Sequence, residues 1–105
     1  MTRITFFSDR DGLTGFRIYG HSTACAEDEN GRLVCAAISS AAYQTANTVL
    51  EILKEPCNVS VNDAEMSLQA ETPSPVTRII LEGFKLHVTE LSKQYSASIS
   101  INSEV

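Results

Sequence analysis

Two residues of the sequence, Cys35 and His21, are of types that together can attack a carbonyl carbon. A cysteine thiolate is a strong nucleophile, and histidine is the natural general base because it titrates near neutral pH. We expect the segment after His21 to let the imidazole meet Cys35, where thiolate and imidazolium would stabilise each other. The pair predicts nucleophilic catalysis by cysteine. The alternatives without a catalytic role are that Cys35 is a small buried core residue and that His21 is a surface histidine.

Two further side chains need an explanation. Ser39 follows Cys35 by one helical turn and shares its face of a predicted helix. Its hydroxyl either bonds into the site or satisfies the backbone of its own helix. His87 lies on the apolar stripe of a second predicted helix. There we expect a satisfied or partly buried histidine, outside the site.

The cysteine count is odd, because Cys25 and Cys57 accompany Cys35. The spacings offer no disulfide framework, and we expect a reducing compartment to keep all three as thiols. A zinc site of His21 with the cysteines is disfavoured by the lack of a CxxC pair, so we expect no metal and no cofactor. A thiol redox sensor, in which Cys25 resolves an oxidised Cys35, remains an alternative.

The elements that must position His21 and Cys35 are predicted from apolar periodicity. Residues 4–8 and 13–19 alternate around a turn-rich segment, which predicts a β-hairpin that ends at His21. Residues 22–31 are small, polar and acidic, and indicate a loop.

An Ala-rich helical pattern then extends over about residues 33–54. It places Cys35 in the first turn of the helix. Unpaired backbone N–H groups and the helix dipole would stabilise a thiolate there, and the Cys35 amide could contribute to an oxyanion hole.

The rest of the chain predicts two more strands, a helix and a closing strand. Apolar alternation on both sides of residues 62–65 indicates a second hairpin, and residues 96–102 indicate the closing strand. Ser74 and Pro75 are typical of a helix start. The expected buried stripe of that helix is Val76, Ile79, Ile80, Gly83, Phe84, His87, Val88 and Leu91. The order ββαββαβ predicts an α+β fold, a two-layer domain over residues 1–105 with an antiparallel sheet and two helices.

Charge and hydropathy narrow the choice of partners. The net charge is −5 and no Lys/Arg cluster stands out, so we expect no direct nucleic-acid binding. The acidity would attract a basic substrate. The N-terminus lacks the apolar core of a signal peptide and no apolar run has the length of a membrane span, so we expect a cytoplasmic protein without membrane contact.

Residues 20–53 (GHSTACAEDENGRLVCAAISSAAYQTANTVLEIL) resemble the signature of the bacterial ribosomal-processing cysteine proteases, the Prp or YsxB-like family. In that family a Gly-His pair precedes a loop and a VCAA(V/I)S helix start, and the order and spacing agree here. The likeness extends over nearly the whole chain. One departure is Arg32, where many members carry an acidic residue three positions before the cysteine.

The resemblance implies that His21 and Cys35 form the catalytic dyad, and that Ser39 and Gly20 bind substrate. It implies removal of the N-terminal extension of large-subunit ribosomal protein twenty-seven, and a homodimer with a mobile loop between His21 and Cys35. A non-catalytic, ribosome-associated binding protein, in which Cys35 is structural filler, remains the second alternative to a protease.

Overall fold

The computed structural model describes residues 1–20, 29–63 and 65–105. Its strands and helices follow the expected order ββαββαβ, and the predicted α+β fold is confirmed. The strands are β1 (Thr2–Asp9), β2 (Gly12–Tyr19), β3 (Asn58–Val61), β4 (Glu65–Gln69) and β5 (Ile99–Glu104). The helices are α1 (Glu29–Asn47), which continues into a π-helical turn at Thr48–Ile52, and α2 (Pro75–Gln94).

The five strands form one mixed sheet in the order β3-β4-β2-β1-β5. Both predicted hairpins are confirmed, and β1 with β2, β2 with β4 and β3 with β4 pair antiparallel as expected. The pairing of β5 with β1 is parallel instead. The closing strand arrives from α2 by a crossover, and a crossover allows a parallel neighbour where a tight hairpin does not.

One face of the sheet carries the helices and the core. Ile4 lies opposite Ile18 and Phe6 lies opposite Phe16, so these four side chains project to the same face. Phe84 of α2 packs on the two phenylalanines, with ring centroids 5.7 Å from Phe6 and 4.7 Å from Phe16. Buried side chains of α1 complete this core: Val34, Ile38, Ala42, Ala46. The apolar face of α1 therefore fixes the helix against the strands.

Helix α1 begins earlier than expected, at Glu29. The predicted loop is therefore too long at its C-terminal end, and residues 22–28 lie outside the described part of the chain. An acidic residue in the first turn suits the positive end of the helix dipole, and this favours a start at Glu29 over one at Leu33. The apolar residues of α1 begin only where the helix packs on the sheet. Apolar periodicity therefore did not predict the first turn of α1.

Helix α2 begins as predicted, because the Ser74 side chain accepts a hydrogen bond from the Thr77 backbone N–H at 3.3 Å and Pro75 follows. Its buried face is rotated from the expected stripe. The buried residues are Thr77, Leu81, Phe84 and Val88, whereas Val76, Ile79, Gly83 and His87 are exposed. The expectation of a partly buried His87 is wrong. Apolar periodicity does not predict a buried threonine. Thr77 can be buried because its hydroxyl donates a hydrogen bond to Glu55 Oε1 at 2.7 Å.

Candidate active site

Cys35 is half-buried on α1, near the N-terminal end of the helix. Because α1 begins at Glu29, Cys35 lies in its second turn and the predicted position in the first turn is wrong. An amide in that position donates within the helix to the carbonyl four residues earlier. The Cys35 N–H is therefore not available as an oxyanion-hole donor, and the dipole is weaker there than at the terminus.

The hydroxyl of Thr2 lies 3.9 Å from Cys35 Sγ, within hydrogen-bonding range for sulfur. Thr2 is the first residue of β1 and is 1% exposed. Its backbone N–H donates to the Ser98 carbonyl at 2.8 Å, which holds the strand start in place. Sequence reasoning missed this residue, because nothing in the local pattern relates a threonine to a cysteine 33 positions later.

Cys35 is disulfide-bonded in this structure, whereas Cys57 is a free thiol. The expectation of three free thiols is therefore not met at Cys35. Sequence spacing alone is a poor guide to pairing, because a disulfide depends on the distance between two Cα atoms in the fold. A disulfide sulfur is not a nucleophile, so catalysis by Cys35 requires its reduction first.

Gly20, the residue before His21, lies beside the start of β1. It follows β2 with φ of +79°, and a Cβ on it would lie 3.0 Å from the Met1 carbonyl oxygen. Glycine suits this turn because the backbone is left-handed and the space is tight. Within the sheet, Tyr19 is paired with Arg3, next to Thr2. His21 itself lies outside the described residues.

Ser39 lies one helical turn after Cys35 and is half-buried. It lines a small cavity of about 40 Å³ between α1 and the turn of the β3–β4 hairpin. His87, in contrast, lines a wider cleft of about 390 Å³ between α1 and α2, which does not include Cys35 or Ser39. This position agrees with the expectation that His87 lies outside the active site.

The free cysteine, Cys57, is expected to be a poor nucleophile. Burial raises the pKa of the Cys57 thiol, and the nearby Glu55 carboxylate raises this pKa further. A thiol with a raised pKa is less ionised at neutral pH and reacts slowly. Cys57 is therefore a suitable control for chemistry at Cys35.

The described part of the chain contains no cluster of three or more His, Cys, Asp or Glu side chains placed to hold a metal ion. A site that includes His21 or Cys25 falls outside those residues. No helix in the described ranges is long and apolar enough to cross a membrane.

Comparison with known families gives a match over residues 1–100 to the family described as "Cysteine protease Prp". The chain belongs to this family. The family resemblance seen in the sequence is thereby confirmed, and the protein is a cysteine protease of the Prp type. No curated protein matches the chain significantly.

Solved structures of a Prp protease and of a second bacterial protein have the same fold. The Staphylococcus aureus ribosomal processing protease Prp in complex with a substrate peptide superposes with a TM-score of 0.86 at 15% identity, covering 99% of this chain and 100% of that one. Its complex with a covalently linked product peptide gives 0.83 at 17% identity, with 99% and 100% covered. SMU.848 from Streptococcus mutans gives 0.83 at 18% identity, with 98% and 93% covered. At these identities the likeness shows the fold.

Proposed function

We propose that this protein is the endopeptidase that removes the N-terminal extension of large-subunit ribosomal protein twenty-seven, with Cys35 as nucleophile and His21 as general base. The observation that carries the proposal is a juxtaposition at the start of β1. Cys35 Sγ contacts Thr2, and the strand that leads to His21 ends beside Arg3, the next residue along β1. Two segments far apart in sequence thus approach one strand end.

The proposed reaction has two stages. The Cys35 thiolate attacks the scissile carbonyl carbon, and the C–N bond breaks as protonated His21 gives its proton to the leaving amine. Water then attacks the acyl-enzyme, His21 accepts its proton, and the thioester C–S bond breaks to release the new carboxylate. The oxyanion donor must be a group other than the Cys35 amide, because that amide is used within α1.

Ser39 and Gly20 are proposed to hold the substrate on either side of this chemistry. Ser39 presents a hydroxyl one turn from Cys35, and Gly20 presents backbone without a side chain at the end of β2. The net charge of −5 would favour approach of a basic ribosomal protein. The scheme uses neither metal nor cofactor. We further propose that residues 1–105 form a single protease domain that acts in the cytoplasm as a homodimer.

The test is incubation of the reduced protein with the extended ribosomal protein, followed by gel electrophoresis and mass spectrometry of the new N-terminus. The native protein and Cys57→Ala should cleave at one position. Cys35→Ala should show no cleavage, and His21→Ala should be slower by about two orders of magnitude or more. Cleavage by Cys35→Ala near the native rate would exclude the dyad, and binding without cleavage by the native protein would favour the binding-protein alternative.

Thiol redox sensing is the second candidate function, and the disulfide at Cys35 favours it. In that case peroxide should oxidise Cys35 of the reduced protein to a sulfenic acid, and the Cys25 thiol should attack that sulfur and release water to form a disulfide. Mass spectrometry after peroxide treatment would reveal a Cys25–Cys35 linkage in the native protein and none in Cys25→Ser. Cleavage of the ribosomal protein by the reduced protein would favour the protease over the redox sensor.

The proposed homodimer is tested separately. Light scattering at micromolar concentration should report twice the monomer mass of 11.4 kDa. A monomer at that concentration would remove the dimer from the proposal and leave the protease untouched.

A further inference from the structure

A line of side chains extends from Cys35 along one face of α1. Ser39 and Tyr43 follow Cys35 by four and eight residues, so the three side chains share that face. With a rise of 1.5 Å per helical residue, Tyr43 lies about 12 Å from Cys35 along the axis. An extended peptide covers that distance in about four residues. A peptide cut at Cys35 that follows this face therefore passes Tyr43 within about four residues of the scissile bond.

The line ends at the small cavity beneath Tyr43, which the β3–β4 hairpin closes from the other side. Its apolar lining consists of the buried side chains of Ile18 and Met66 and of the two outer side chains, Tyr43 and Val61. Tyr43 is 47% exposed and Val61 is 52% exposed. The cavity is thus a notch with an apolar floor and apolar sides that open to solvent.

The polar groups at the rim of this notch leave little net charge. Glu65 lines it, but its Oε2 atom accepts a hydrogen bond from Arg17 Nη2 at 2.8 Å. The backbone N–H of Asn62 donates to the Glu65 carbonyl at 2.9 Å, which closes the hairpin turn beside the cavity. The carboxylate of the notch is paired with an arginine and its sides are apolar. Such a notch favours an uncharged apolar side chain, since a charged one would lose its hydration there.

We propose that this notch, between Tyr43 and Val61, is a specificity pocket that binds one apolar side chain of the substrate peptide within about four residues of the scissile bond. The proposal rests on the proposed function for the identity of the peptide. It adds the location and the chemistry of a subsite: Tyr43 and Val61 contact the peptide side chain, and Ile18 and Met66 form the floor. Ser39 lines the pocket on the side of Cys35.

The test measures binding without cleavage, so that it does not depend on turnover. A fluorescent peptide with the sequence of the ribosomal protein extension is titrated with Cys35→Ala protein, alone and combined with Val61→Asp, Tyr43→Ala or Ile79→Asp. Ile79 is the matched control, because it is an apolar residue 68% exposed on α2 and does not line the notch. The peptide set includes alanine at each apolar position in turn.

We expect Val61→Asp and Tyr43→Ala to weaken binding by about tenfold or more, and Ile79→Asp to change it less than about twofold. One alanine peptide should bind the Cys35→Ala protein weakly and lose no further affinity in Val61→Asp, because both changes remove the same contact. Unchanged binding in both pocket variants, or no binding of any peptide, would overturn the pocket. A change in oligomeric state with unchanged binding would also overturn it, since the notch would then be covered by a second copy.

Cleavage by the reduced protein with Cys35 intact is measured in parallel and separates the two proposals. If the native protein cleaves but the pocket variants bind like the control, the pocket is wrong and the protease stands. If binding depends on Tyr43 and Val61 but nothing is cleaved, the pocket is supported as a peptide site and the proposed cleavage of the ribosomal protein fails.

Discussion

The Thr2 hydroxyl lies 3.9 Å from Cys35 Sγ and thereby joins the first residue of the sheet to the second turn of α1. The contact orients the sulfur of the proposed nucleophile. In the reduced protein the hydroxyl can donate to the thiolate, an interaction that replaces part of the stabilisation that sequence reasoning assigned to the helix terminus.

We therefore expect Thr2→Val to lower kcat/KM by about fivefold, the equivalent of about 1 kcal/mol for one long hydrogen bond to the sulfur. Valine has nearly the shape of threonine, so the core around this buried position should stay packed. The matched control is Thr14→Val, since Thr14 is also buried and its hydroxyl accepts a bond from Gln69 Nε2 at 3.1 Å, away from Cys35. Equal kinetics in the two variants would show that the Thr2 contact is structural.

Ser39→Ala should reduce kcat/KM by less than loss of either proposed dyad residue, by about two- to tenfold, because a hydroxyl beside the site positions substrate and does not react with it. Ser40→Ala is the control, since Ser40 is exposed on another side of α1 and lines a different cleft. If both alanine variants match the native kinetics, Ser39 serves only its helix.

Gly83→Ala should raise the free energy of unfolding by about 0.5–1 kcal/mol, because alanine replaces glycine inside an exposed helical stretch of α2. A Cβ at Gly83 would meet nothing within 4 Å. Gly15→Ala should do the reverse and destabilise the protein, since a Cβ there would overlap the Leu68 carbonyl oxygen of β4. Urea denaturation of the two variants checks both signs.

Acid should destabilise the protein partly through Glu55. The Ser74 backbone N–H and then the Thr77 hydroxyl lower the pKa of this carboxyl, and both donate to Oε1 at 2.7 Å. Because the folded-state pKa is lowered, the stabilisation is present above the unfolded value of about 4.3 and is lost as pH falls through the folded value. The urea midpoint should therefore drop between about pH 5 and pH 3.

Glu55→Gln should show a smaller drop over the same pH range, since the amide oxygen keeps both hydrogen bonds but does not titrate. Some pH dependence should remain, because Arg78 holds the pKa of Asp9 below its usual range in the same way. An identical acid profile in native and Glu55→Gln protein would show that this carboxyl does not contribute.

Cys57 should be alkylated slowly at neutral pH, with a midpoint above that of a free thiol at about 8.5. Burial is the main cause of its raised pKa, and the Glu55 charge is the second. Iodoacetamide labelling from pH 7 to 10, with the cysteine identified by mass spectrometry, measures this directly. Glu55→Gln should lower the midpoint slightly; a midpoint near 8.5 in the native protein would contradict the burial argument.

The sequence by itself determined the order of the elements, because each has a local signal. Alternation defined both hairpins, and Ser74 with Pro75 defined the start of α2. The motif from Gly20 to Ser39 also identified the family, since spacing within one segment is a property of the sequence.

Only the tertiary structure decided what surrounds Cys35. The start of α1 at Glu29 moved the cysteine out of the first turn, and the parallel pairing of β5 with β1 arose from a crossover that no local pattern encodes. The contact from Thr2 to Cys35 joins residues 33 positions apart. Periodicity reports which side of an element is apolar, whereas the neighbours of a side chain depend on how distant elements pack, and that packing exists only in the folded chain.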